Sequence, residues 1–247
     1  MLLSPLAGRR PKPGAVLGVI RAHWIFALVL LAGAVLRVVA MLGFRSVLWF
    51  NDSYDFLAIA NDPFPHPLRP SGYGLFLWVL KPFHSLLLVT TIHHAAIVGL
   101  AVVGYRMLVR DFDVRRGWAA LAVAPLLLDS FQIELEHLLL SDTLFTVLVF
   151  GAMLMLAKPG ATGWRRAAIV GLLLGFGAVT RTVGAPLFLI VVLYLLVRRT
   201  RWPVYAALAV TFFVPVVAYA TWYQQEHGRF ALTGTDGVFL WGRAAAF

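Results

Sequence analysis

Cysteine is absent from this 247-residue chain, so neither disulfides nor thiolate chemistry enters its design. Charge is scarce too: 13% of residues are Asp, Glu, Lys or Arg, against about a quarter in an ordinary soluble domain. The short signatures of phosphate-loop, dinucleotide and zinc-protease chemistry are missing, with no Walker sequence, no G-x-G-x-x-G and no H-E-x-x-H. Those nucleotide and zinc enzymes are excluded on that ground. No internal inverted repeat is visible either.

What the chain has in excess is apolar surface. Hydrophobic residues make up 61% of it, and its mean hydropathy is +0.84. One aqueous core could not use that much. The formal net charge of +10 would suggest nucleic acid for a soluble protein, but here positive charge held at cytoplasmic helix ends accounts for it. The expected partner is the lipid bilayer, not nucleic acid.

Residues 1–23 form a basic, Pro- and Gly-containing tail, and Trp24 opens an apolar run to Phe44 broken only by Arg37. That run has the roughly 20 residues needed to cross a hydrocarbon core. A long first outer loop follows over 45–85, with Pro63, Pro65, Pro67 and Pro70 and two short aromatic helical stretches at 54–60 and 72–80, suited to the membrane interface. Further crossings are expected near 86–109, 117–128, 143–157, 167–179, 183–197 and 203–223, with 129–142 as a short polar turn and 224–247 as an outer segment. The fold class is therefore all-α, a polytopic transmembrane bundle of about seven helices. With the N-terminus inside, fourteen of the 21 basic residues fall on the cytoplasmic side and nine of the eleven acids on the other. That asymmetry follows the positive-inside rule. The expected location is a plasma (inner) membrane, multi-pass, with the acidic loops outside.

Three features meet at the outer face. Asp52-Ser53-Tyr54-Asp55 opens the first loop; Asp52 can cap the helix at 54–60 or act as a general base, and one residue can do both. Arg69 and Lys81 place cations where the topology rule disfavours them, which suits either a lipid-linked phosphate or ordinary headgroups. Glu134 and His137 share a helical face near Glu136, with Asp142 at the mouth of the next helix. No third ligand at metal spacing accompanies them, which favours a polar acceptor-pocket wall over a metal site. Arg181 belongs to the same side, where a phosphate or an acid would offset its cost. His93-His94 read as interhelical hydrogen-bond partners, and Gly171, Gly175 and Gly177 as close-packing positions.

The order Asp52-Ser53-Tyr54, then Arg69-Pro70-Ser71-Gly72-Tyr73-Gly74-Leu75-Phe76-Leu77, then Leu139-Leu140-Ser141-Asp142-Thr143-Leu144-Phe145 and Gly171-Leu172-Leu173-Leu174-Gly175 with Thr180-Arg181 resembles the N-terminal membrane module of GT-C glycosyltransferases. That superfamily includes protein O-mannosyltransferases and bacterial aminoarabinose transferases, and the likeness runs from about 24 to 223. The resemblance implies transfer of a sugar from a polyprenyl-phosphate donor to a glycan, lipid or protein acceptor outside the membrane. It assigns the catalytic base to Asp52, with Asp55 as its rival, and the donor phosphate to Arg69, Lys81 and Arg181. Tyr54, Tyr73, Glu136, His137 and Asp142 would shape the rest of the site. It fixes no cofactor, since members differ in whether they need a divalent cation. Members run well past 247 residues, so the sequence reads as a truncated relative. The alternatives from other classes are a transporter or flippase of lipid-linked intermediates and a non-catalytic membrane assembly partner.

Overall fold

The computed structural model describes Gly18 and residues 21–235. Most of the expected basic tail, and the outer segment from 236 on, lie outside the described residues. Among the described residues every regular element is helical, apart from an isolated bridge between Leu48 and Leu138.

The first helix, α1 (Trp24–Gly43), has 20 residues, about 30 Å of rise. It buries Phe26, Gly33 and Arg37 along one narrow stripe. Leu28, Leu31, Val35, Val38, Val39 and Leu42 are exposed on the remaining faces. Facing water, so continuous an apolar surface would drive aggregation; facing lipid, it costs nothing.

In the outer loop, α2 (Asn51–Asn61) and α3 (Gly72–Leu80) pack on each other, and a 3₁₀ turn (Lys81–Phe83) leads into α4 (Leu86–Arg110). Phe56, Ile59, Tyr73, Leu77, Val89 and Leu139 share the core beneath them. At the water interface each such burial is worth about 1.5–3 kcal/mol.

Beyond α4 come α5 (Arg116–Leu128), α6 (Ser130–His137), α7 (Ser141–Ala157), α8 (Trp164–Thr180), a 3₁₀ turn (Thr182–Gly184), α9 (Ala185–Val197) and α10 (Trp202–His227). The stretch expected as a polar turn over 129–142 is thus mostly helix. Asp129 breaks the chain there with extended dihedrals and restarts it, its carboxylate accepting from the Phe131 N–H at 3.2 Å. The resulting α5–α6 pair is bent by 46°.

Helices stand over all seven expected spans, but length separates them. Three, α1, α4 and α10, are long and apolar enough to cross a membrane alone, and the bent α5–α6 pair makes a fourth if taken as one span. Helices α7 and α8, at 17 residues each, rise about 25 Å, short of the roughly 30 Å hydrocarbon core. The geometry establishes a helical chain with three or four candidate spans.

Candidate active site

The site begins with chain segments that have no regular structure. Residues 47–50 lie beside 137–139, joined by Leu48 N–H to His137 O at 3.0 Å and Leu139 N–H to Leu48 O at 3.1 Å. This pairing sets the first turn of α2 against the segment leading into α7. Ser53 fixes the register: its hydroxyl accepts from the Phe50 N–H at 3.0 Å and donates to Leu139 O at 3.0 Å. Phe50, not Asp52, is the residue that precedes the helix, and Ser53 closes the N-terminal turn by reaching back to it. Asp52 sits inside that first turn, which frees its carboxylate from a capping bond.

The proline-rich loop delivers the cation. Ser71 satisfies its full hydrogen-bonding capacity by donating to Phe64 O at 2.9 Å and accepting from the His66 N–H at 2.9 Å and from Tyr219 Oη at 3.2 Å. The Ser71 N–H in turn donates to Tyr219 Oη at 3.0 Å. His227 Nε2 meets Pro65 O at 2.6 Å, and Gly234 N–H donates to Pro67 O at 2.8 Å. The loop is therefore held by the far end of α10, an arrangement nothing in the local sequence announces.

So positioned, Arg69 forms an ion pair with Asp52 through Nη1, lies 3.4 Å from Asp55 Oδ2 through Nε, and rests over the Phe56 ring with Cζ 5.8 Å from its centroid. The two carboxylates and the guanidinium are partly exposed. His66 Nε2 stands 3.7 Å from Asp55 Oδ2, while Nδ1 accepts from the Leu68 N–H at 3.2 Å. Partial burial holds the His66 imidazole below its ordinary pKa; Asp55 opposes that shift and Arg69 adds to it.

A second pair stands nearby. Arg181 follows α8 in an extended conformation and reaches Asp142 Oδ2 at 2.5 Å in the first turn of α7. The α3 N-terminus packs onto the end of α8 so closely that a Cβ on Gly72 would lie 2.5 Å from Val179 O. That contact brings Tyr73, which packs on the Phe56 ring that Arg69 covers, within range of the Asp142 charge. Tyr73 is fully buried among Phe56, Phe76 and His93, and its hydroxyl lacks a hydrogen-bond partner. Burial first, and then the Asp142 charge, push its pKa well up, so it is a neutral phenol.

The remaining expected residues are elsewhere. Lys81 donates to Asn61 O at 2.8 Å and Asn61 Oδ1 at 3.1 Å. It stands at the opposite end of α2, about 13 Å of helical rise from Asp52, where it borders an apolar cleft of 310 Å³ with Leu57, Leu77, Leu80 and Val89. Tyr54 is exposed and stacks on Trp49 at 5.6 Å, as interfacial aromatics do. Glu136 and His137 line no open wall: both are buried. Glu136 is held by Arg37 Nε and Nη2 at 2.8 and 2.7 Å, by Gln132 at 3.1 Å and by His94 Nδ1 at 2.6 Å. His94 Nε2 continues to His137 Nδ1 at 3.3 Å, and His137 Nε2 to Phe44 O at 2.7 Å. Arg37, His94 and Gln132 were not among the expected site residues; the lone Arg in the first apolar run was the available signal. Among the described residues no group of three or more His, Cys, Asp or Glu is arranged to hold a metal ion.

Comparison of the chain with protein-family profiles, with curated proteins and with solved structures finds no match in any of the three.

Proposed function

We propose that the protein is a membrane glycosyltransferase of GT-C type, moving a sugar from a polyprenyl-phosphate donor to an acceptor hydroxyl at the outer face of a plasma membrane. The observation that carries the reading is the assembly of Asp52, Asp55 and Arg69 with Asp142 and Arg181 beside it, from four separate elements, at one end of the helices. The proposed topology has seven crossings. Helices α1, α5–α6, α8 and α10 run one way and α4, α7 and α9 the other, which brings the two Arg–carboxylate pairs to the acidic side.

In the proposed reaction the acceptor O–H loses its proton to Asp52 as its oxygen attacks the anomeric carbon from the face opposite the phosphate. The carbon–oxygen bond to phosphate breaks, the configuration inverts, and polyprenyl phosphate leaves with the bonding pair. Arg69 and Arg181 stabilise the developing phosphate charge. An arriving donor phosphate competes with Asp52 for Arg69 and so uncovers the base where the acceptor must bind. Lys81 has no part in this step; its apolar cleft suits lipid. A divalent cation, where one is needed, would bind with the donor.

A second reading is favoured by the buried Arg37–Glu136–His94–His137 network and the bent α5–α6 pair, since charged and broken helices within the membrane are features of carriers. Reconstituted vesicles loaded with radiolabelled polyprenyl-phosphate sugar separate the two. A transferase puts the label on acceptor and releases unlabelled polyprenyl phosphate. Intact donor moved between leaflets, without product, would establish the carrier instead.

A further inference from the structure

On the side of the molecule opposite the acidic cluster, α4, α7 and α8 part to leave a groove of 920 Å³. Its inner wall is apolar, formed by Leu100, Val103, Leu154 and Ile169 among others. Two of its lining residues are glycines. A Cβ on Gly99 would meet nothing within 4 Å, and one on Gly151 would meet only Leu173 at 3.7 Å. The space is therefore left by missing side chains at positions where the helices would tolerate them.

The groove mouth is strongly basic. Arg106, Arg110, Lys158, Arg165 and Arg166 border it against a single carboxylate, Asp111. Among the described residues none of the five cations takes part in an ion pair. Arg166 spends one N–H on Lys158 O at 3.0 Å, and Arg165 lies over Trp164. Five cations in one place repel one another, and hydrocarbon lines the space behind them. From Ala96 to Arg110 the groove follows fifteen residues of α4, about 21 Å of rise, close to the thickness of one leaflet with its headgroups.

We propose that this groove binds one anionic glycerophospholipid, its phosphate headgroup among Arg106, Arg110 and Arg165 and an acyl chain along the Gly99–Gly151 wall. Charge complementarity selects the occupant: a zwitterionic lipid brings its own cation to a mouth already carrying five, and the chain's tail residues Arg9, Arg10 and Lys12 are of the same sign. The site lies at the end of the helices remote from Asp52 and does not rest on the proposed sugar transfer.

The test uses full-length protein purified in mild detergent, delipidated, then offered phosphatidylglycerol, phosphatidylcholine or inorganic phosphate, with bound lipid counted by native mass spectrometry and stability followed by thermal unfolding. Wild type should retain one phosphatidylglycerol in preference to phosphatidylcholine and gain stability from it alone. Gly99→Leu with Gly151→Leu fills the wall without touching charge, and should abolish retention while the lipid-free melting temperature is unchanged. Arg106→Gln with Arg165→Gln should weaken phosphatidylglycerol about twenty-five-fold, at roughly fivefold per cation. This second variant decides the matter if the glycine variant does not fold. Equal retention of the two lipids, wild-type retention in the folded variants, or full displacement of phosphatidylglycerol by millimolar inorganic phosphate would each overturn the proposal.

Discussion

Arg37 and Glu136 meet in a two-point ion pair across 99 residues of sequence, Nε to Oε2 at 2.8 Å and Nη2 to Oε1 at 2.7 Å. The other three guanidinium N–H groups go to the carbonyls of Gly33, Leu126 and Leu127 at 3.1, 2.9 and 2.8 Å. All five donors are used. Two of those carbonyls belong to the last turn of α5, where the break before α6 leaves backbone oxygens without helical partners. In the membrane interior such groups must be satisfied by protein. Arg37 thus ties the bend between α5 and α6 to the first helix.

Removing one partner of this pair should be costly. Arg37→Gln strands both the carboxylate and the α5 carbonyls, and is expected to destabilise the protein by about 3–5 kcal/mol. Glu136→Gln keeps an acceptor for Arg37 and should cost less. Unfolding of both variants in mixed detergent micelles measures the difference, and equal costs would show that the carbonyl contacts contribute nothing.

His66 should titrate below 6.5 in the folded protein, because burial disfavours the imidazolium. Asp55→Asn removes the charge that raises its pKa and should lower it further, whereas Arg69→Gln should raise it. The sign for stability follows from linkage. A histidine with a depressed folded pKa lets the unfolded chain bind more protons, so its contribution is present above pH 6.5 and is lost as the pH falls below that value. Histidine ring resonances followed by NMR from pH 8 to pH 5 check the order of the three proteins.

Helices α8 and α10 approach through glycine. A Cβ on Gly175 would lie 2.6 Å from both Phe212 O and Pro215 Cγ, so the neighbouring backbone leaves it no room. Gly175→Val should destabilise by about 1–3 kcal/mol or more, as overpacked interfaces do. Thermal unfolding in detergent should show the loss, while Gly163→Ala, where a Cβ meets nothing within 4 Å, should melt like wild type.

Much of the helical layout was legible in the residues. Apolar run lengths placed helices over every expected span, and the aromatic stretch at 72–80 coincides with α3. Those signals are local: composition and proline decide them within a few residues. Partnership is not local. Arg37 announced a cost within an apolar run, but only folding shows that Glu136 meets it, and likewise that Tyr219 and His227 hold the loop carrying Arg69. Asp52 read as a cap because its type suits one; Ser53 took the capping bond one residue later, leaving the carboxylate to Arg69. Glu136 and His137 were assigned to an open wall because nothing in sequence marks the depth at which a polar helix is buried. Lys81 shares a loop with Arg69, yet α2 carries its surroundings away from Asp52.

The most direct test of the account is transfer of radiolabelled sugar from a polyprenyl-phosphate donor by wild type, Asp52→Asn and Asp55→Asn in proteoliposomes, at matched expression and melting temperature. The account predicts that Asp52→Asn loses about 10²–10⁴-fold in rate, the usual worth of a positioned general base, while Asp55→Asn retains most of the activity. Transfer at the wild-type rate by the Asp52→Asn protein would contradict it.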